Sequence, residues 1–246
     1  MKIEELFSHS FQHLRASFLT TEQLLQPMVG RMLSTDSRFC QEAVAAGLIS
    51  QEGMRRAAQR YLLGRSRSNE TVFWMIDDRQ RVRDGMVGDS WASVLLKERG
   101  LIDRQWCPQH CLFGLHLLEE GGMRREEGEY SKHSSEIICV VESVRSCVVL
   151  SERFPKYLWM ATGYLANLNE RLFLPLKGHH VVCFPATDPT GDTYLLWLSV
   201  AKEARKYGID ISVSRLLEDR ASMEQKEQGI DLVGYLKDIV TDFLKT

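Results

Sequence analysis

Glu142 closes the run Ile137-Ile138-Cys139-Val140-Val141, an apolar strand pattern that leads straight into a helix-like segment. A carboxylate in that place stands at the mouth of a sheet. Gly163 follows a second apolar run, and Asp188 and Asp192 follow a third. Carboxylate oxygens are what a hard cation such as Mg²⁺ takes as ligands, and a glutamate carries protons to or from a reacting group. A glycine at a strand end permits a backbone conformation or a close approach that a side chain would block. Together these residues suit metal-assisted or acid–base chemistry, provided that the strands share one rim.

The elements that follow Ile137 meet that condition. Apolar runs at 137–141, 157–162, 180–184 and 210–214 read as strands, separated by helical patterns at about 145–152, to about 173, and at 193–206. Strands alternating with helices predict a parallel sheet covered on both faces, with ligands bound where the strand order reverses. Near the C-terminal end, Ser222-Met223-Glu224-Gln225 fits a capping box. Asp231 is placed to cap a last helix whose apolar stripe is Leu232, Tyr235, Leu236, Ile239, Val240 and Phe243.

Each rim residue also has a local role open to it. Asp188-Pro189-Thr190-Gly191 fits a type I turn, and Asp192 stands where it would cap the helix from Thr193. Glu142 would hold the Ser143 turn through backbone amides. Gly163 serves substrate access or packing equally. Arg145 is placed either to meet a phosphate together with a helix N-terminus or to lie on an exposed helix surface.

Upstream, helices are expected at Gln41–Leu48 and Gln51–Leu62, the second capped by Ser50. Strands at Glu70–Ile76 and Gln80–Val87 flank Asp77-Asp78-Arg79 and predict a hairpin with an open turn. Residues 55–83 hold eight arginines against Glu70, Asp77 and Asp78, the one strongly basic segment. On a strand, Arg79, Arg81 and Arg83 would share one face, which also describes a face kept wet by charge. The polar, glycine-containing stretch 119–135 reads as a linker. The expected organisation is a helical segment 1–50, a small α+β subdomain 51–118, the linker, and an α/β domain 136–246.

With 246 residues and 44% hydrophobic residues, the chain is long enough to bury a sizeable core. A net charge of -2 and a pI near 6.4 supply no overall basic field. No signal-peptide pattern and no membrane-length apolar run is present, so a cytoplasmic protein without membrane contact is expected, its six cysteines free thiols. Cys107-Pro108-Gln109-His110-Cys111 with His116 lacks the paired spacing of a zinc ribbon, so no zinc is expected. His179 and His180 fall on opposite faces of a strand. Neither a Walker-type Gly-x-x-x-x-Gly-Lys nor a Gly-x-Ser-x-Gly elbow occurs, which removes the ATPase and serine-hydrolase classes.

A strand ending in glutamate, a later strand ending near glycine, and a third followed by spaced aspartates resemble the Toprim pattern of bacterial DNA primases, topoisomerases and some nucleases. More closely, the chain resembles primase-related Toprim proteins of bacterial mobile elements. The matching stretches are Arg60-Tyr61-Leu62-Leu63-Gly64, Val72-Phe73-Trp74-Met75-Ile76-Asp77, Val82-Arg83-Asp84-Gly85, Cys111-Leu112-Phe113-Gly114, Val140-Val141-Glu142-Ser143, Trp159-Met160-Ala161-Thr162-Gly163 and Gly229-Ile230-Asp231, spanning roughly residues 39 to 240. The resemblance implies a Toprim-like, Rossmann-type α/β domain with a parallel central sheet, preceded by a smaller α+β primase-like subdomain. It implies Glu142 as acid or base and as a ligand to Mg²⁺ or Mn²⁺, with Asp188 and Asp192 as further ligands. Arg145 and Gly163 would meet phosphate, and Arg60, Arg65, Arg67, Arg79, Arg81 and Arg83 would face nucleic acid, DNA or RNA. Replication or mobilisation of a mobile element, alone or with replication proteins, would be the setting. Three acids usual in that pattern are replaced, by Val144, Ala186 and Gly234. The possible activities are therefore a Mg²⁺-dependent primase or nucleotidyltransferase, a Toprim nuclease, and a non-catalytic binding or regulatory module on the same scaffold.

Overall fold

The computed structural model describes residue 19 and residues 29–31, 34–118 and 137–245, with side chains described for 19, 34–118 and 137–239. Two sheets share one core. The first is antiparallel and five-stranded in sequential order: β1 (Val29–Arg31), β2 (Gly64–Ser66), β3 (Thr71–Ile76), β4 (Val82–Val87) and β5 (Ser90–Trp91). Helices α1 (Arg38–Ala45) and α2 (Gln51–Arg60) precede β2, and α3 (Ala92–Glu98) follows β5. Every residue of β3 is buried because alternate side chains enter different clusters: Phe73 and Met75 face the main core, whereas Val72, Trp74 and Ile76 pack with Leu96 and Ile102.

The second sheet is parallel and four-stranded: β6 (Ile137–Val141), β7 (Leu158–Ala161), β8 (His180–Cys183) and β9 (Asp210–Val213), in the order β7-β6-β8-β9. Helix α4 (Val144–Arg153) links β6 to β7, and α5 (Asp192–Lys206) links β8 to β9. Helices α6 (Leu216–Arg220), α7 (Met223–Glu227) and α8 (Leu232–Lys245) complete the chain. The path runs outward from β6 to β7 and then back across β6 to β8. With right-handed crossovers, this reversal puts α4 and α5 on opposite faces, α4 packing on α2 and α8, and α5 on the β7–β8 connection.

The alternation read from the sequence is the alternation observed, with strand ends shifted by a residue or so. The β7–β8 connection differs: in place of a helix to about 173 it forms two 3₁₀ segments, Leu165–Asn167 and Glu170–Leu176. Pro175, inside the second, has no N–H to give an α-helical turn. Helix α1 starts three residues before the expected Gln41 because Ser37, extended and buried, already turns the chain. Within the segment expected to be helical, Val29–Arg31 is an edge strand on β2, too short to leave a periodic signal. The rest of 1–28 apart from Leu19, and the expected linker 119–135, lie outside the described residues.

The seam between the sheets is closed by Phe113. Its N–H and C=O exchange bonds with Ala161 at 2.8 and 3.1 Å, adding an antiparallel segment beside β7. Tyr61 stacks on Phe113 with centroids 4.9 Å apart and donates its hydroxyl to the Trp159 carbonyl at 2.9 Å. Gly114 follows with φ +86°, and a Cβ there would lie 3.0 Å from the Tyr61 ring and 3.1 Å from the Trp159 oxygen. Arg56 and Arg60 on α2 hold Glu152 on α4, at 2.8 and 3.0 Å. Among the described residues no helix is long and apolar enough to cross a membrane, and all six cysteines are free.

Candidate functional site

The order β7-β6-β8-β9 reverses direction between β6 and β8, and the crevice at the C-terminal ends of those two strands is where open α/β sheets bind ligands. Glu142 lies there. Its carboxylate reaches across the crevice: Oε1 accepts from the Trp197 indole N–H at 2.9 Å, on α5, and from the Ala186 N–H at 3.3 Å, beyond β8. Its main-chain oxygen accepts from the Gly163 N–H at 2.9 Å, beyond β7. Oε2 has no partner among the described residues and is not sealed from solvent. Burial pushes the Glu142 carboxyl above the usual carboxylate range; the bonds from Trp197 and Ala186 oppose this, and the charges of Asp231 and Asp188 add to it. One oxygen is therefore pinned and the other open, on an acid that gives up its proton reluctantly.

The two acids that act on Glu142 are themselves occupied. Asp188 Oδ1 accepts from the N–H groups of Thr190 and Asp192 at 2.9 and 3.1 Å, and Oδ2 from that of Thr193 at 2.7 Å. The Thr190 hydroxyl lies 2.7 Å from Asp188 Oδ1 and from Asp192 Oδ2, and its single hydrogen serves one of them at a time. Burial raises the Asp188 carboxyl, but the bonds from Thr190 and Thr193 outweigh it and hold the group well below the usual range. Asp231 accepts from the Ser146 hydroxyl on α4 and from the Gly234 N–H at 3.0 Å, capping α8. Both aspartates thus spend carboxylate lone pairs on helix starts. Among the described residues, no group of three or more His, Cys, Asp or Glu side chains converges as a ligand set.

The remaining residues singled out in the sequence are divided among three places. Gly163, with φ +85°, faces the antiparallel sheet: a Cβ there would lie 2.8 Å from Met75 Cε, 3.2 Å from Met86 Sδ and 3.3 Å from the Trp91 ring. Arg145 leaves the rim for the β4–β5 turn, where it pairs with Asp89 at 3.2 Å. Of the arginines, Arg60 belongs to the Glu152 pair, and Arg79 sits in the turn after β3 rather than on a strand. Arg81 and Arg83 converge on the buried Asp77, with Nε bonds at 2.9 and 2.7 Å. The expected one-face row is thus mainly internal charge balance. Arg65, Arg67 and Arg79 make no ion pair among the described residues, and Arg67 and Arg79 are exposed.

Trp197, which pins Glu142, gave no signal beyond an apolar helix position. Asp231 read as a cap, and it is one; only the fold shows that its charge, with that of Asp188, bears on Glu142. Residues 43–187 match the family model described as "Domain of unknown function (DUF6371)", more than half of the chain. The chain belongs to the DUF6371 family. The family match takes in the antiparallel sheet from β2 onward, the seam, and β6 to β8, and it ends one residue before Asp188. No curated protein matches this DUF6371 chain. Among solved structures it is similar to the Aquifex aeolicus primase (zinc binding and RNA polymerase domains), at 13% identity and a TM-score of 0.38. That similarity covers 96% of this chain and 59% of the primase chain.

Proposed function

We propose that this protein is a Toprim-like, primase-related nucleic-acid-binding protein, serving replication or mobilisation of a mobile element, with a reduced cation site centred on Glu142. The observation that carries the reading is the placement of Glu142: a carboxylate at the strand-order reversal, one oxygen held by Trp197 and Ala186, the other open. The sequence resemblance puts the acid of a Toprim site at this residue. Oxygen donors fit Mg²⁺ or Mn²⁺, which keep several waters and need few protein ligands. Glu142 Oε2 would be the direct ligand, with Asp231 and Asp188 adding negative charge. Such an ion neutralises phosphate charge when bound.

The test is a Mn²⁺ titration followed by thermal unfolding of wild type and Glu142→Gln. Saturation tenfold above Kd stabilises by about 1.4 kcal/mol, or roughly 3–6 °C for a chain of this size. The expected result is that shift in wild type and none in the variant. Because the charged form of Glu142 is disfavoured by folding, its contribution to stability is lost as pH rises through its elevated folded-state pKa. The glutamine protein should therefore fold at least as well as wild type near neutral pH. Equal shifts in both proteins, or none at millimolar Mn²⁺, overturn the cation site.

The occupied state of Asp188 and Asp231 favours a second reading, a non-catalytic binding or regulatory module on the same scaffold. Metal-dependent extension or cleavage of an oligonucleotide, lost in Glu142→Gln, would exclude it; extension and cleavage products would in turn distinguish a primase or nucleotidyltransferase from a nuclease.

A further inference from the structure

Asp84, on β4, is wholly buried and, among the described residues, is paired with neither lysine nor arginine. Its Oδ1 accepts from the N–H groups of Gly85 and Ser93 at 2.8 and 3.0 Å, and Oδ2 accepts from the Ser93 hydroxyl at 2.6 Å. The remaining contact to Oδ2 is His110 Nε2, at 3.0 Å. Three donors already point at the two carboxylate oxygens, which sets Asp84 up as an acceptor, so Nε2 is assigned as the donor. The imidazole is clamped a second time, stacked on Trp91 with centroids 4.0 Å apart and planes 16° from parallel. Nδ1 has no partner among the described residues, yet it is not a buried orphan, so it reaches solvent. Simple filling of the seam does not call for a ring fixed on two sides and left open at its one variable nitrogen.

The place matters as much as the geometry. Trp91 meets Tyr164 edge-on, and the Tyr164 hydroxyl donates to the Asp89 carbonyl at 2.8 Å. Asp89 also receives Arg145, whose side chain is 47% exposed. Trp91 is one of the three residues, with Met75 and Met86, against which Gly163 packs, and Gly163 is bonded to the Glu142 main chain. Contacts therefore run from His110 through Trp91 and Tyr164 to Asp89 and Arg145, and through Trp91 and Gly163 to the Glu142 main chain.

We propose that His110 is a phosphate-contacting residue for a polynucleotide lying along this seam, switched on by protonation at Nδ1. The ligand class rests on the nucleic-acid reading given above. Since Nε2 keeps its hydrogen on Asp84 in both states, protonation places the new hydrogen at Nδ1, on the solvent side, where a phosphate oxygen accepts it. Among the described residues, the charged and titratable groups linked to the ring are Asp84 on β4, by its hydrogen bond, and, through Trp91, Tyr164, whose hydroxyl is bonded to Asp89, the partner of Arg145. Ser93 on α3 is neutral.

The experiment is fluorescence anisotropy of a labelled single-stranded oligonucleotide across roughly pH 5.5 to 8.5, with wild type and His110→Gln. Glutamine retains an N–H for Asp84 and never carries charge. Wild type is expected to bind about tenfold more tightly at the acid end, the scale of one hydrogen bond to a charged group. The variant should hold the alkaline-end affinity throughout. The same pH dependence in both proteins overturns this proposal and leaves the nucleic-acid reading standing; absence of oligonucleotide binding by wild type at every pH overturns both. Nitrogen-15 NMR of wild-type His110 supplies a measurement independent of the variant's folding. Protonation and oligonucleotide should both move Nδ1, with Nε2 protonated throughout, and the opposite tautomer refutes the assignment.

Discussion

Substituting alanine for Gly163 separates the two roles that the residue could serve. The backbone at Gly163 has φ +85°, where a Cβ costs about 1–2 kcal/mol. The added methyl would also lie 2.8 Å from Met75 Cε and 3.2–3.3 Å from Met86 and Trp91. The methionine tips can swing, so overpacking adds the lower part of its usual range, about 1–2 kcal/mol. A total near 2–4 kcal/mol corresponds to a melting point lowered by roughly 4–16 °C for a chain of this size. The assay is thermal unfolding by circular dichroism, paired with oligonucleotide anisotropy at a temperature where both proteins are folded. If Gly163 is seam packing, Gly163→Ala melts early and, once folded, binds with nearly wild-type affinity. A variant that melts within a degree of wild type but has lost binding would refute the packing argument and make Gly163 a point of close ligand approach.

Two further outcomes are expected. Asp77, buried beneath Arg81 and Arg83, is desolvated, but the bonds from those arginines outweigh this and depress its carboxyl pKa. Its contribution to stability is thus present above the unfolded value near 4 and lost as pH falls through the lower folded value. Asp77→Asn should therefore be less stable than wild type at pH 7, with the difference shrinking toward pH 2 in denaturant titrations; a pH-independent difference would show that the charge is not what matters. Asp188→Ala should cost about 0.5–2 kcal/mol in the same titration, the range for a lost helix cap, while reducing but not abolishing the Mn²⁺-induced shift. Loss of the shift without loss of stability would make Asp188 a ligand instead.

What the sequence made legible was whatever is written in a short period. The runs at Ile137–Val141 and His180–Cys183, and the Ser50 and Ser222 caps, depend on neighbours within a few positions, and the structure has them there. Arg79, Arg81 and Arg83 illustrate the limit. Their spacing by two is real, but the turn Asp77–Gln80 takes Arg79 off the strand, and Asp77, four and six residues away, recruits the other two. Nothing in a pattern of charges tells a solvated row from one folded back on a buried acid. Trp197 with Glu142 and His110 with Asp84 are harder still. Their partners lie 55 and 26 residues apart, so each pairing exists only once the strand order is known.

Glu142 ties together three strand ends: its main-chain oxygen holds the residue after β7, its Oε1 holds the residue beyond β8, and its own strand is β6. Those contacts alone would explain a polar residue here, and a glutamine would satisfy all of them. What they do not explain is a carboxylate set beside Asp231 and Asp188 in a position that disfavours its charge. A neutral amide in that place would remove a repulsion that folding must otherwise absorb. Acids held where burial and like charge disfavour ionisation are concentrated at functional sites. Under the proposed cation site, the charge of Glu142, rather than its hydrogen bonds, is the part of this residue that meets the ion.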